Sequence, residues 1–197
     1  MIEQRFRGIY QKILVDPVIH YCGKKLTPNI ITILSGIVGL LVIPALYLNF
    51  LSLSVFLLLT SGYLDTLDGT LARYQDKTSQ IGSALDIVMD RLVEWAVVFA
   101  LFLVEPSRAI WCFLILLANL LCITSFLVVG IFVEQNSQKS FFYHEGLMER
   151  AEAFIFFILM MIFPEYFTIL VIIYIFLVLL TTFLHLRFFH SWQKQNS

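Results

Sequence analysis

Between Asp65 and Asp90 the chain places four carboxylates in the order Asp65-x-x-Asp68-Gly69-x-x-Ala72-Arg73, then eight residues, then Gly82-x-x-x-Asp86-x-x-x-Asp90. Asp65 and Asp68 are three residues apart, and Asp86 and Asp90 four apart. Each pair therefore projects from one face of a helix. A charged side chain at the centre of a membrane helix costs roughly 2.5–3.5 kcal/mol on insertion scales, so four imply a penalty on the order of 10 kcal/mol unless something offsets it. One or two divalent cations on hard oxygen ligands would do so, and with no His or Cys nearby the donor set favours Mg²⁺, Mn²⁺ or Ca²⁺ over Zn²⁺. Gly69, Ala72 and Gly82 remove side chains around the acids, which lets a bulky phosphate or nucleobase come close. Arg73 offers a forked cation that matches phosphate oxygens. Two metals in such a site can stabilise the attacking and leaving oxygens of a phosphoryl displacement.

A blander reading pairs the acids with Arg73, Arg91 or Arg150 as helix-to-helix ties, with Gly69 and Gly82 serving packing alone. Ion pairs would account for one or two acids. They leave two facing pairs with glycines between them without a purpose.

The elements that carry the acids must be membrane helices. The chain has 197 residues, of which 59% are hydrophobic and 14% charged, and a net charge of −1. Its long charge-poor runs exclude an ordinary soluble domain; the net charge by itself says nothing about nucleic acid, and no nucleic-acid partner is expected. Six spans are expected at about 20 residues each: 30–48, 50–66, 81–104, 109–133, 146–163 and 166–186. Pro44 is expected to kink the first, and Pro164 to fall in the turn between the fifth and sixth. No cleavable leader is expected, because polar sequence precedes the first apolar run.

Ahead of the first span, Ile2, Phe6, Ile9 and Ile13 recur at helical spacing, with Arg5, Arg7 and Lys12 on the other face. That pattern predicts an amphipathic helix lying on anionic headgroups. Thr27-Pro28-Asn29 reads as the helix start into the first span. The expected architecture is an all-α integral membrane protein forming one domain over residues 1–197. It comprises an interfacial segment (1–26) and a six-helix bundle (27–190).

Lys and Arg concentrate before the first span, in the second-to-third and fourth-to-fifth connections and in the tail, while the opposite side has only Arg108. Both termini and the acid cluster are therefore expected on the cytoplasmic side. Cys22, Cys112 and Cys122 are too scattered for a disulfide framework and read as small membrane-core residues. His144, His185 and His190 read as surface or headgroup residues.

The aspartate string, with its glycines, Ala72 and Arg73, resembles the signature of the CDP-alcohol phosphotransferases at every fixed position. The amphipathic start and the Thr27-Pro28-Asn29 entry are similar to that family as well. The resemblance implies that Asp65, Asp68, Asp86 and Asp90 hold two divalent ions, Mg²⁺ or Mn²⁺. It implies that Asp68, Gly69, Ala72, Arg73 and Gly82 border the cytidine diphosphate part of the donor. Asp90 would be the general base that takes the acceptor hydroxyl's proton. The hydroxyl would then attack the lipid-side phosphorus, with CMP leaving. A homodimer is also implied.

A compact bundle with a cytosol-facing polar site suits CDP-diacylglycerol as donor, its tails remaining in the bilayer. The alternative branch of the family joins a CDP-choline or CDP-ethanolamine head group to diacylglycerol. The acceptor alcohol is left open among inositol phosphate, glycerol 3-phosphate, serine and inositol. Arg91 and Arg150 are the candidate acceptor-phosphate ligands; their alternative roles are pairing with Glu94 and Glu152. Asp90-Arg91 and Glu149-Arg150-Ala151-Glu152 look similar to the inositol-phosphate branch. A second Arg commonly follows the later Glu there, where this chain has Ala153, which counts against that acceptor. A cation-coupled transporter is the rival class; it predicts mid-membrane acids and inverted repeats, and no repeat is visible.

Overall fold

The structure, a computed structural model, describes residues 15, 17–19, 26–134 and 147–196. All regular structure among them is helical. The chain divides into two compact units, Ile2–Arg108 and Ala109–Ser197. The expected amphipathic stretch up to Leu14 lies outside the described residues. Just beyond it, Val15 and Ile19 are buried in a cluster with Ile31, Leu67 and Leu71.

The first unit opens with α1 (Pro28–Leu40) and α2 (Val42–Tyr47), which together make the first apolar span. Pro28 occupies the first turn of α1, where its missing N–H costs nothing. The break falls at Leu41, one turn before Pro44, because proline has no N–H to give to the Leu40 carbonyl. The ladder resumes with Ala45 N–H donating to Leu41 O at 3.3 Å.

Helix α3 (Leu51–Tyr74) is longer than expected. Its apolar run ends near Thr66, yet the helix continues for two more turns and carries the whole Asp65-to-Arg73 string. The actual stop is a Schellman motif: Asp76 N–H donates to Arg73 O at 3.3 Å and Lys77 N–H to Ala72 O at 2.9 Å. Asp76 turns the chain in the left-handed region, at φ 51°. Helix α4 (Gln80–Val104) then starts at Ser79, an N-cap whose Oγ accepts the Gly82 N–H at 3.0 Å.

Helix α1 packs against both acid-bearing helices. The Ser35 hydroxyl donates to the Ser61 carbonyl at 3.0 Å, tying α1 to α3 across a buried contact. One turn further along α1 Gly39 lies against Val93 of α4, so closely that a Cβ there would collide with both Val93 methyls. These contacts hold α3 and α4 against one scaffold helix.

In the second unit, α5 (Ala109–Glu134) and α7 (Phe167–Asn196) pack along each other, and α6 (Arg150–Ile162) packs on α7. A 3-10 turn at Pro164–Tyr166 joins α6 to α7, as expected of Pro164. Buried Tyr174 donates its hydroxyl to Asn119 Oδ1 at 2.9 Å, and Thr181 Oγ1 accepts the Met148 N–H at 3.0 Å. The reading of His185 as a surface residue is corrected: it is 5% exposed, and its Nδ1 lies 3.1 Å from Ser125 Oγ. The reason is the length of α7, which carries His185 well inside its run, whereas His190 is exposed.

Among the described residues, three stretches are long and apolar enough to cross a membrane: Pro28–Tyr47, Pro106–Val133 and Pro164–Lys194. Both acid-bearing helices fall outside that set, since charged residues interrupt their apolar runs: Asp65 and Asp68 on α3, and Asp86, Asp90, Arg91 and Glu94 on α4.

Candidate active site

The aspartates stand where α3 nears its end and α4 begins, both in the first unit. Asp65 and Asp68 come from one face of α3, and Asp86 from the second turn of α4. Carboxylate oxygens of these three lie within 4.8 Å of one another. Asp68 is 4% exposed, and one Asp86 oxygen, Oδ1, is buried with no hydrogen-bond partner among the described residues. Asp90 is half-buried one turn further along α4 and stands outside the trio.

Three acids so close repel one another and lose hydration, and burying an uncompensated charge is costly. A divalent cation removes both penalties, and carboxylate oxygens are the ligands Mg²⁺ and Mn²⁺ take. Among the described residues, nothing else engages the buried Oδ1 of Asp86, which makes it a ligand position. The residues present fit a divalent ion.

Beside the trio is a cavity of about 170 Å³. Asp68, Gly69, Ala72, Arg73 and Gly82, all expected to border a donor, line it together with Asp86. Gly82 sits where space is tight: a Cβ would stand 3.1 Å from Ser79 Oγ and 3.3 Å from Asn29 Oδ1. Arg73 is exposed and donates through Nη2 to Thr70 Oγ1 at 3.2 Å.

The lining also contains residues that sequence reasoning did not single out for the site: Asn29, Thr32, Lys77, Thr78, Ser79 and Ser83. Two helix starts, those of α1 and α4, therefore meet the cavity, and first-turn N–H groups favour anions. The only signal in the sequence was their ordinary capping chemistry.

The two acceptor candidates are placed differently. Arg91 does not line this cavity; its Nη1 and Nη2 each lie 2.7 Å from one oxygen of Glu94, a forked pair with the Glu94 side chain 7% exposed. That is the alternative role considered for it. Arg150 belongs to the second unit, where it opens α6 with its guanidinium carbon 5.2 Å from the centre of the Phe154 ring.

The sequence model of the CDP-alcohol phosphatidyltransferase family matches residues 25–189. The chain belongs to this family. It is thus a transferase of the phospholipid-synthesising class and an integral membrane protein. Among curated relatives, the inner membrane protein YnjF of Escherichia coli (strain K12) is 31% identical over 182 residues, 86% of this chain and 88% of that one. The phosphatidylinositol phosphate synthase of Corynebacterium glutamicum is 30% identical over 154 residues, 73% of this chain and 67% of that one.

The Mycobacterium tuberculosis phosphatidylinositol phosphate synthase shares the fold in two crystal structures. Its complex with manganese and citrate superposes with a TM-score of 0.71 at 17% identity, covering 90% of both chains. Its CDP-DAG complex gives 0.65 at 20% identity, covering 88% of this chain and 92% of that one.

Proposed function

We propose that this phosphatidyltransferase family member moves the phosphatidyl group of CDP-diacylglycerol to a small polar alcohol and releases CMP. The observation that carries the reading is the meeting of the Asp65–Asp68–Asp86 trio with a cavity lined by Arg73, Gly82 and two helix starts. One wall suits divalent cations and the other an anionic nucleotide. The reading includes six membrane spans, an interfacial N-terminal helix, a cytosol-facing site with both termini on that side, and a homodimer.

In this scheme Asp65, Asp68, Asp86 and Asp90 hold two ions, Mg²⁺ or Mn²⁺. Bound there, the ions neutralise diphosphate charge and lower the energy of the departing phosphate. Asp68, Gly69, Ala72, Arg73 and Gly82 border the cytidine diphosphate group. The small residues admit it, and Arg73 binds phosphate oxygens. Asp90 accepts the acceptor hydroxyl's proton. The hydroxyl oxygen bonds to the lipid-side phosphorus as that phosphorus loses its bond to the bridging oxygen. CMP leaves with the electron pair.

The acceptor is one of inositol phosphate, glycerol 3-phosphate, serine or inositol. The likeness to the phosphatidylinositol phosphate synthases of C. glutamicum and M. tuberculosis supports inositol phosphate, and Ala153 counts against it. Arg91 and Arg150 are the proposed acceptor ligands; Arg91 would have to share its fork with Glu94. The test is CMP release by the purified chain from CDP-diacylglycerol with Mn²⁺ and each acceptor in turn. Release with one acceptor identifies the alcohol. Release only from CDP-choline or CDP-ethanolamine with diacylglycerol would move the chain to the other branch. No release from any combination would refute the transferase chemistry.

A further inference from the structure

Lys77 lines the cavity from among the eight unspecified residues between Arg73 and Gly82. Its backbone is not free to wander. As the second residue past the helix end in a Schellman motif, it gives its N–H to Ala72 O at 2.9 Å. Ala72 is itself a cavity residue, so this bond ties the lysine to the rim. The residue that makes the bond possible is Asp76, whose φ of 51° reverses the chain directly after α3. Left-handed backbone is unfavourable for most side chains, though Asp tolerates it better than most and glycine adopts it freely.

Charge makes the position informative. A diphosphate diester is doubly negative, and Arg73 supplies one cation to the cavity wall. Lys77 supplies a second from the opposite end of the same turn, on a long flexible stem suited to meeting a phosphate as a point charge. Among the described residues no side-chain hydrogen bond or ion pair engages its ammonium. The carboxylates of Asp68 and Asp86 line the same cavity. With those carboxylates committed to divalent ions, the lysine is left for the nucleotide.

We propose that Lys77 is a further binding residue for the diphosphate of the donor, and that left-handed Asp76 is the residue that positions it. The inference rests on the CDP-linked donor argued above and extends it to residues beyond the signature. Removing one charge-assisted phosphate contact weakens binding by roughly tenfold.

The experiment measures CDP binding to the full-length chain in detergent with Mn²⁺, alongside CMP release from CDP-diacylglycerol. Lys77→Ala should raise the CDP Kd and the donor KM about tenfold, leaving kcat and the Mn²⁺ Kd unchanged. Lys77→Arg should recover most of the loss. Asp76→Gly should keep donor affinity within about twofold, since glycine adopts the same φ, whereas Asp76→Val should weaken it as Lys77→Ala does. A Lys77→Ala protein that binds CDP like the parent overturns the proposal. So does a loss of affinity that Lys77→Arg does not restore. If the parent chain binds CDP but releases no CMP with any acceptor, the transferase reading fails while the binding comparison still decides Lys77. If it binds no CDP, both fail.

Discussion

Arg91 and Glu94, three residues apart on α4, close a forked ion pair with both Nη–Oε distances at 2.7 Å. The pair begins one residue beyond Asp90, so it stiffens the turn that presents the proposed base. Glu94 is nearly enclosed, and a carboxylate that loses its cation in such a place is costly. Arg91 is itself 36% exposed, which discounts the effect. Arg91→Ala should therefore destabilise the first unit by on the order of 2 kcal/mol, read as a lower melting temperature in detergent. A melting temperature equal to the parent's would show that the fork contributes nothing. With a phosphate-bearing acceptor the same variant should also raise acceptor KM.

Much of this framework was legible in the residues. Apolar runs located α4, α5 and the start of α7 within a residue or so, because long charge-poor segments have few other solutions. The end of α3 was not legible by that route. Hydropathy stops at Thr66, whereas the hydrogen-bond ladder stops where Asp76 turns left-handed, and composition does not register that conformation. The break near Pro44 fell a turn earlier than the proline itself, at the carbonyl that proline leaves without a donor. Within the site, regular spacing grouped Asp65, Asp68, Asp86 and Asp90, of which the first three come within 4.8 Å of one another while Asp90 stands apart, and the small or cationic neighbours Gly69, Ala72, Arg73 and Gly82 all line the cavity. Asn29, Lys77, Ser79 and Ser83 were missed as site residues, since each looks like a routine loop or cap residue until the fold brings two helix starts together.

Gly82 tests the cavity wall. A single methyl would meet Ser79 Oγ and Asn29 Oδ1 at tight but adjustable distances, whereas a branched side chain would enter the cavity. Gly82→Ala should cost a few-fold in donor KM, and Gly82→Val at least about tenfold. Equal donor KM in all three proteins would show that no donor approaches here.

Gly39 tests the scaffold rather than the chemistry. Its replacement by Ala drives a methyl into Val93, and overpacking of this kind costs about 1–3 kcal/mol. Val93→Ala in the same chain should recover part of that loss, because the two side chains compete for one space. Additive destabilisation in the double variant would mean the α1–α4 contact is looser than described.

Metal removal tests the trio. Chelation with EDTA should abolish CMP release, and added Mg²⁺ or Mn²⁺ should restore it. Asp86→Asn removes the charge of a half-buried ligand and should weaken Mn²⁺ binding, followed by electron paramagnetic resonance, at least about tenfold. Undiminished Mn²⁺ binding in that variant would place the ion elsewhere.

The most direct test of the central claim compares the parent chain with Asp90→Asn, measuring CDP-diacylglycerol binding and CMP release on the same preparations with Mn²⁺ and the productive acceptor. The substitution keeps size and removes the basic oxygen. Donor affinity should stay within a few-fold, while turnover should fall by about 10²–10⁴-fold, the usual contribution of a general base. Asp90→Asn protein that releases CMP at close to the parent's rate would contradict the assignment of Asp90 as the base of phosphatidyl transfer.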